Sequence, residues 1–113
     1  MLITKELLPG TLDMLILKAL SLGATHGYGV LLRIEATSKG LLSLEQGSLY
    51  PALGRLEARG MIASEWGVSD NGRRAKFYEL TAAGHGRLEG ETDRWARMVA
   101  AVSNVLDARP SEA

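Results

Sequence analysis

The stretch Glu45–Gly60, EQGSLYPALGRLEARG, constrains the fold more than any other part of this chain. Leu49, Leu53 and Leu56 fall at i, i+4 and i+7, one apolar stripe at helical period. Ser48 stands ahead of the stripe as a candidate N-cap, which places Pro51 near the third helical position, where a missing N–H costs little. Gly60 closes the segment as a left-handed C-terminal cap. Opposite the leucines lie Pro51, Gly54, Arg55 and Ala58, flanked by Tyr50 and Arg59. A slim strip rimmed by arginines and a tyrosine suits a helix lying in a DNA groove, with donors for phosphates and base edges. From this segment alone an ordinary amphipathic surface helix is an equal alternative.

With 113 residues the chain builds one domain and a modest core. It has no cysteine, which removes disulfides, thiolate metal sites and cysteine nucleophiles. His26 and His85 are the two imidazoles, so a metal site would lean on carboxylates, and no metal or cofactor is expected. No apolar run reaches the roughly 20 residues of a membrane span, and no signal layout opens the chain, so a soluble, cytoplasmic protein is expected. Thirteen basic residues balance thirteen acidic ones. Any nucleic-acid binding must therefore come from a local patch rather than net charge.

Leu2, Ile3, Leu7 and Leu8 make the N-terminal arm too apolar for a solvated tail, and it should dock on the body. Leu12, Leu15, Ile16, Ala19 and Leu20 predict a first helix, capped by Thr11, helped by Asp13 and ended by Gly23. Met14 and Leu17 form a second apolar face that calls for a partner surface. His26-Gly27-Tyr28-Gly29 reads as a turn into a second helix with Val30, Leu31 and Ile34, ended by Gly40. Here His26 is a structural residue and Tyr28 a core residue. Leu42-Ser43-Leu44 alternates, which predicts a very short strand before the central helix.

Two strands follow, Met61 to Val68 and Ala75 to Leu80, joined by Ser69-Asp70-Asn71-Gly72, in which Asn-Gly favours a hairpin turn. Arg73, Arg74 and Lys76 give the hairpin tip a compact cationic patch, although a charge run is usually only a solvated surface. Thr81 caps a last helix in which Leu88, Thr92, Trp95, Val99, Val102 and Leu106 are spaced by alternating fours and threes, the rhythm of a coiled coil. Gly84, Gly86 and Gly90 each cost it about 1 kcal/mol. Such a helix needs something to pack on, and a second copy of the chain is the simplest candidate. The expected organisation is mainly α with a small β-hairpin. A winged helix-turn-helix spans residues 1–81, a C-terminal dimerisation helix 82–106 and a disordered tail 107–113.

The residues also carry a resemblance that runs from Leu7 to Leu106. Gly10-Thr11-Leu12-Asp13-Met14-Leu15-Ile16-Leu17, His26-Gly27-Tyr28-Gly29, Gly47-Ser48-Leu49-Tyr50-Pro51-Ala52-Leu53 with Arg55-Leu56-Glu57, and Arg73-Arg74-Ala75-Lys76-Phe77-Tyr78-Glu79-Leu80-Thr81 resemble the PadR family of bacterial transcriptional regulators. The single terminal helix is similar to the compact branch of that family. The resemblance implies a winged-helix homodimer that represses a promoter. It implies DNA contact at Ser48, Tyr50 and Pro51 and at Arg73, Arg74 and Lys76, with Tyr78 and Leu80 structural. Arg74-Ala75 departs from the commoner wing, which has a proline in that region.

Arg55 joins the DNA-binding set because it projects from the same strip as Tyr50. The dimer interface is expected at Met14, Leu17, Leu88, Trp95, Val99, Val102 and Leu106. Trp95 has two roles open to it, packing against the mate or contact with a small aromatic effector, since some family members bind flat aromatic molecules at the dimer interface. The partners expected are therefore double-stranded DNA, a second copy of the chain and such an effector. The leading function is a sequence-specific, homodimeric repressor on a palindromic operator. The alternative is a winged-helix protein-interaction module without specific DNA binding. No nucleophile–base pair, phosphate loop or metal-ligand spacing points to an enzyme.

Overall fold

A computed structural model describes residues 1–113. In chain order it contains β1 (Leu2–Ile3), α1 (Thr11–Ser21), β2 (Thr25–His26), α2 (Gly27–Thr37), β3 (Leu42–Ser43), α3 (Gln46–Ala58), β4 (Ile62–Val68), β5 (Arg74–Leu80) and α4 (Ala82–Leu106). Short 3-10 turns occupy Thr4–Glu6 and Pro110–Glu112.

The core lies where α1, α2 and α3 converge on the base of the hairpin. Ile16, Leu17, Val30, Leu49, Leu53 and Ile62 are its largest fully buried side chains. Burying each such aliphatic side chain is worth about 1.5–3 kcal/mol. Tyr78 closes the core from β5, and Leu80 and Leu88 pack on its edge, so Tyr78 and Leu80 are structural. Arg33 of α2 donates from Nη1 to the carbonyls of Ala19 and Gly23, both at 2.7 Å, and so satisfies the open end of α1.

The predicted hairpin forms with β4 and β5 antiparallel, Ile62 opposite Leu80 and Val68 opposite Arg74. Gly72 adopts φ 79° at its tip while Asn71 does not go left-handed, so the connection is a five-residue loop rather than a two-residue turn. Two elements were hidden in the sequence. β2 adds a third strand beside β5, Thr25 opposite Tyr78, giving the order β2-β5-β4. The N-terminal arm docks as expected, as β1 paired parallel to β3, Leu2 opposite Leu42.

Four local readings are corrected. Helix α3 begins at Gln46 with Glu45 at the N-cap, so Ser48 caps nothing and Pro51 is the sixth helical residue. The reason is tertiary: the Glu45 amide donates to Thr4 Oγ1 at 2.9 Å, so the arm fixes where the chain turns into the helix. Thr11 is the first residue of α1 and makes no side-chain cap, because Gly10 at φ 84° turns the chain there. His26-Gly27-Tyr28-Gly29 is a helix start rather than a turn. His26 Nδ1 accepts the Gly29 amide at 3.0 Å, and Tyr28 is consequently in the first turn and 50% exposed rather than in the core. Leu17 is only 1% exposed within the single chain, so it belongs to the core and not to a spare outer face. That helix is covered from two sides, by α2 and α3 on one and by the start of α4 on the other.

Helix α4 runs beside α1 over its first turns and then leaves the body. Thr81 Oγ1 accepts the Gly84 amide at 3.1 Å, as expected of its cap, and Gly84 is the one buried residue of the helix. A Cβ at Gly84 would stand 2.0 Å from the Met61 carbonyl, so only glycine lets α4 cross the strand base so closely. The outer half of the helix protrudes and draws the molecule out to 62 Å along its longest axis. Residues 107–113 are exposed throughout and carry one 3-10 turn where no pattern was expected.

Candidate nucleic-acid interface

The face of α3 turned from the core carries Gln46, Gly47, Tyr50, Pro51, Gly54, Arg55 and Ala58, all exposed, and half-buried Ser48 lies at its edge. Nothing stands within 4 Å of a Cβ added at Gly47 or Gly54, so this strip is open along its length. Because Pro51 has no N–H, the Gly47 carbonyl four residues earlier lacks its usual helical donor. Tyr50 is half exposed, and its ring lies over the start of α2, 2.6 Å from where a Gly27 Cβ would be. That contact sets the position of the phenol ring over the start of α2. Arg55 reaches Asp13 of α1 through Nη2 at 3.4 Å.

In the wing the three cations divide. Arg73 lies in the loop and Arg74 at the outer end of β5, both exposed. Lys76, one pleat further in, donates to Glu57 Oε1 of α3 at 3.2 Å. The Ser64 hydroxyl of β4 donates to the other oxygen of the same carboxylate. One carboxylate thus ties α3 to both strands of the wing. The Ser64 hydrogen bond, and then the Lys76 ammonium, hold the Glu57 carboxyl below the usual carboxylate range, against the opposing effect of desolvation. The cationic patch expected at the hairpin tip is thus partly offset by Glu57, which arrives from a different element.

Arg74, in contrast, stacks its guanidinium 4.5 Å above the Trp66 ring, where the two strands bring them together on one face. Trp66 was not singled out in the sequence. Strand alternation from buried Ile62 places it on the side of β4 that carries Arg74 and Lys76 on β5, which is the signal that could have found it.

On α4, Trp95, Val99, Val102 and Leu106 are exposed, as are Met98 and Val105 beside them, while Leu88 is half-buried against the core. A cleft of about 610 Å³ runs between the arm, α1 and α4, lined among others by Leu8, Met14, Leu56, Met61, Trp95 and Met98, with Leu17 at its floor. Arg59, Arg87 and Arg94 rim it with Asp13 and Glu91. The structure thus brings Met14 and Trp95 to one cavity and strings Val99, Val102 and Leu106 beyond it.

Three helices with a three-stranded sheet, whose outer hairpin stands beside the exposed face of the third helix, define a winged helix-turn-helix protein. Residues 16–90 match the transcriptional regulator PadR-like family. The chain belongs to that family. Its regulators bind DNA and are generally dimeric, and such regulators are generally not enzymes.

A PadR-like transcriptional regulator from Bacillus cereus is similar over 92% of this chain and 99% of its own, at 26% identity and a TM-score of 0.76. A PadR family regulator from Eggerthella lenta superposes with a TM-score of 0.74 at 29% identity, covering 88% of this chain and 85% of its own. In sequence, protein X of Lysinibacillus sphaericus is 28% identical over 85% of this chain and 88% of its own length. A 37.1 kDa protein of a Streptomyces fradiae transposon is 41% identical over 76% of this chain, which spans only 23% of that protein. No helix of the chain is long and apolar enough to cross a membrane.

Proposed function

We propose that the chain is a homodimeric repressor acting in the cytoplasm on a palindromic operator, with α3 in the major groove and the wing on the backbone. The observation that carries this reading is the open strip of α3 flanked by the wing. Gly47, Gly54 and Ala58 are slim enough to admit a groove edge, while Ser48, Tyr50, Pro51 and Arg55 supply base-edge and phosphate contacts along it. Arg73, Arg74 and Lys76 neutralise phosphates beside it. Arg55 and Lys76 enter as ion pairs with Asp13 and Glu57, so each can shift toward a phosphate without first being ordered from a free rotamer pool.

Dimerisation is supported by the apolar residues that α4 exposes and by the cleft at its root. A two-fold arrangement places the Trp95, Val99, Val102 and Leu106 seam against the mate, with Met14 and Leu88 at its near end. The two reading helices would then stand about 34 Å apart, one turn of the duplex. The cleft also favours a second role for Trp95: its volume and apolar lining suit a small aromatic effector that would couple ligand to DNA release.

Footprinting on the intergenic DNA flanking the gene tests the main reading. Protection of two half-sites one helical turn apart is expected, and absence of any protected site would leave the protein-interaction module standing. In salt titrations, Arg73→Ala should lower the magnitude of the salt slope by about one and weaken binding to all sequences alike. Sedimentation of the full chain and of a truncation after Gly90 should give a dimer and a monomer respectively. Tryptophan emission titrated with planar aromatic compounds in the full chain and in a Trp95→Phe variant, read beside DNA release, tests the effector role, since Trp66 also emits.

A further inference from the structure

We propose that Trp66 is a positioning residue for DNA binding: its ring is the shelf that holds the Arg74 guanidinium extended across the wing toward the duplex. The inference rests on the reading of the wing as a DNA element and adds a residue that carries no charge.

Along the inner face of β4 exposure climbs steeply. Ile62 is buried at 2%, Ser64 is half-buried, Trp66 is 60% exposed and Val68 is 70% exposed. The core ends at Ser64, so the indole at Trp66 stands beyond anything it could help to pack. What it does touch is a cation. Arg74 Cζ lies 4.5 Å from the ring centroid, within range of a cation–π contact. Lys76 is directly opposite Trp66 in the strand register, but its ammonium is turned to Glu57, which leaves the ring to Arg74. Arg74 has no acidic partner among the four ion pairs of the chain.

These facts distinguish two ways of ordering a long cationic side chain. A carboxylate orders it and offsets its charge, as Glu57 does for Lys76. An aromatic face orders it and leaves the full charge and all five N–H donors available at the edge. Arg74 is ordered in the second way, on the face of the wing that also meets α3. Part of its side-chain entropy is given up before binding, so less remains to be lost when a phosphate or a groove edge is met. Arg73, in the loop and without such a shelf, serves as the internal control.

The test is a double-mutant cycle on the full chain, read by fluorescence anisotropy with a fluorescein-labelled mixed-sequence duplex across a salt series. Trp66→Ala should weaken binding about two- to fivefold, the worth of an exposed cation–π contact, with the salt slope unchanged because no charge is lost. Trp66→Phe should recover much of that loss. Arg74→Ala should reduce the slope by about one, and adding Trp66→Ala to it should do nothing further. Trp66→Ala added to Arg73→Ala should keep its full effect. Trp66→Thr, a strand former, replaces the alanine variant if that fails to fold.

Wild-type affinity in Trp66→Ala overturns the inference and leaves the DNA reading intact. An equal loss with Arg74 already removed also overturns it, because Trp66 would then touch DNA itself or merely support the hairpin. Failure of the unaltered chain to bind the duplex at any salt refutes the DNA reading, and this inference with it.

Discussion

The body up to Leu80 and the helix that follows it are built on opposite terms. All fourteen core residues lie between Ile16 and Tyr78, and every one is buried within a single chain. Helix α4 is 25 residues long, yet Gly84 is its one buried residue, and Trp95, Met98, Val99, Val102, Val105 and Leu106 stand in solvent. The body satisfies itself, while α4 carries an apolar face that the chain alone leaves uncovered. Isolated helices draw little stability from propensity, and most of a protein helix's stability comes from a packed face. The difference teaches that the core and the uncovered apolar face are encoded in separate segments here, and that the two should respond separately to substitution.

The largest effects come from trading one segment's apolar residue against the other's. Leu53→Ala opens a cavity in the core and should cost about 2–5 kcal/mol, enough to lower Tm by on the order of 10 °C or more at any protein concentration. Val99→Ala with Val102→Ala should leave the fold unaltered by circular dichroism and instead shift sedimentation toward a monomer at concentrations where the unaltered chain sediments as a dimer. A core-sized loss from the α4 pair in a monomeric sample would break the comparison, since those residues would then be packing within one chain.

Legibility in the sequence follows the same division. Periodicity found α1, α2, α3, the hairpin and α4, because each carries an apolar face whose pattern is local, whether or not the chain alone covers that face. It missed β2, since two residues are too few to show alternation, and it placed the start of α3 at Ser48 because nothing local announces that Thr4 will bind the Glu45 amide. The exposed strip of α3 was readable from Tyr50 onward, being the complement of the leucine stripe, but Gln46 and Gly47 fall before the expected start and were left out of it. The state of Lys76 was not. Whether a lysine is free or paired depends on Glu57, nineteen residues away on another element. Leu17 was misassigned for a related reason: a helix covered from two sides buries more than one stripe, and one stripe was assumed.

Where the two segments join, glycine sharpens the contrast. Gly84→Ala drives a methyl group into the Met61 carbonyl, and overpacking of this kind should cost about 1–3 kcal/mol and loosen the root of α4. Gly86 and Gly90, two and six residues further along the helix, have nothing within 4 Å of an added Cβ. Alanine at either should gain up to about 1 kcal/mol from helix propensity. Thermal melts of the three single variants read this directly. A stabilised Gly84→Ala would mean that α4 does not cross the strand base as closely as described.

The smallest effect concerns the carboxylate that couples α3 to the wing. Glu57 has its pKa lowered from 4.5, first by the Ser64 hydroxyl and then by Lys76, so the folded state favours its ionised form. A depressed carboxylate contributes stability that is fully present above its unfolded pKa and is lost as pH falls through the lower folded value. The chain should therefore lose stability below about pH 4.5, while wing and α3 become less firmly joined. Glu57→Gln keeps the shape and one acceptor but cannot titrate, so it should start less stable at neutral pH and show a shallower acid limb. Because Glu57 sits near the surface, the difference between the two limbs is modest and is best read as a slope across a pH series. Parallel acid limbs in the two proteins would place the acid sensitivity elsewhere and leave the link between α3 and the wing without a titrating group.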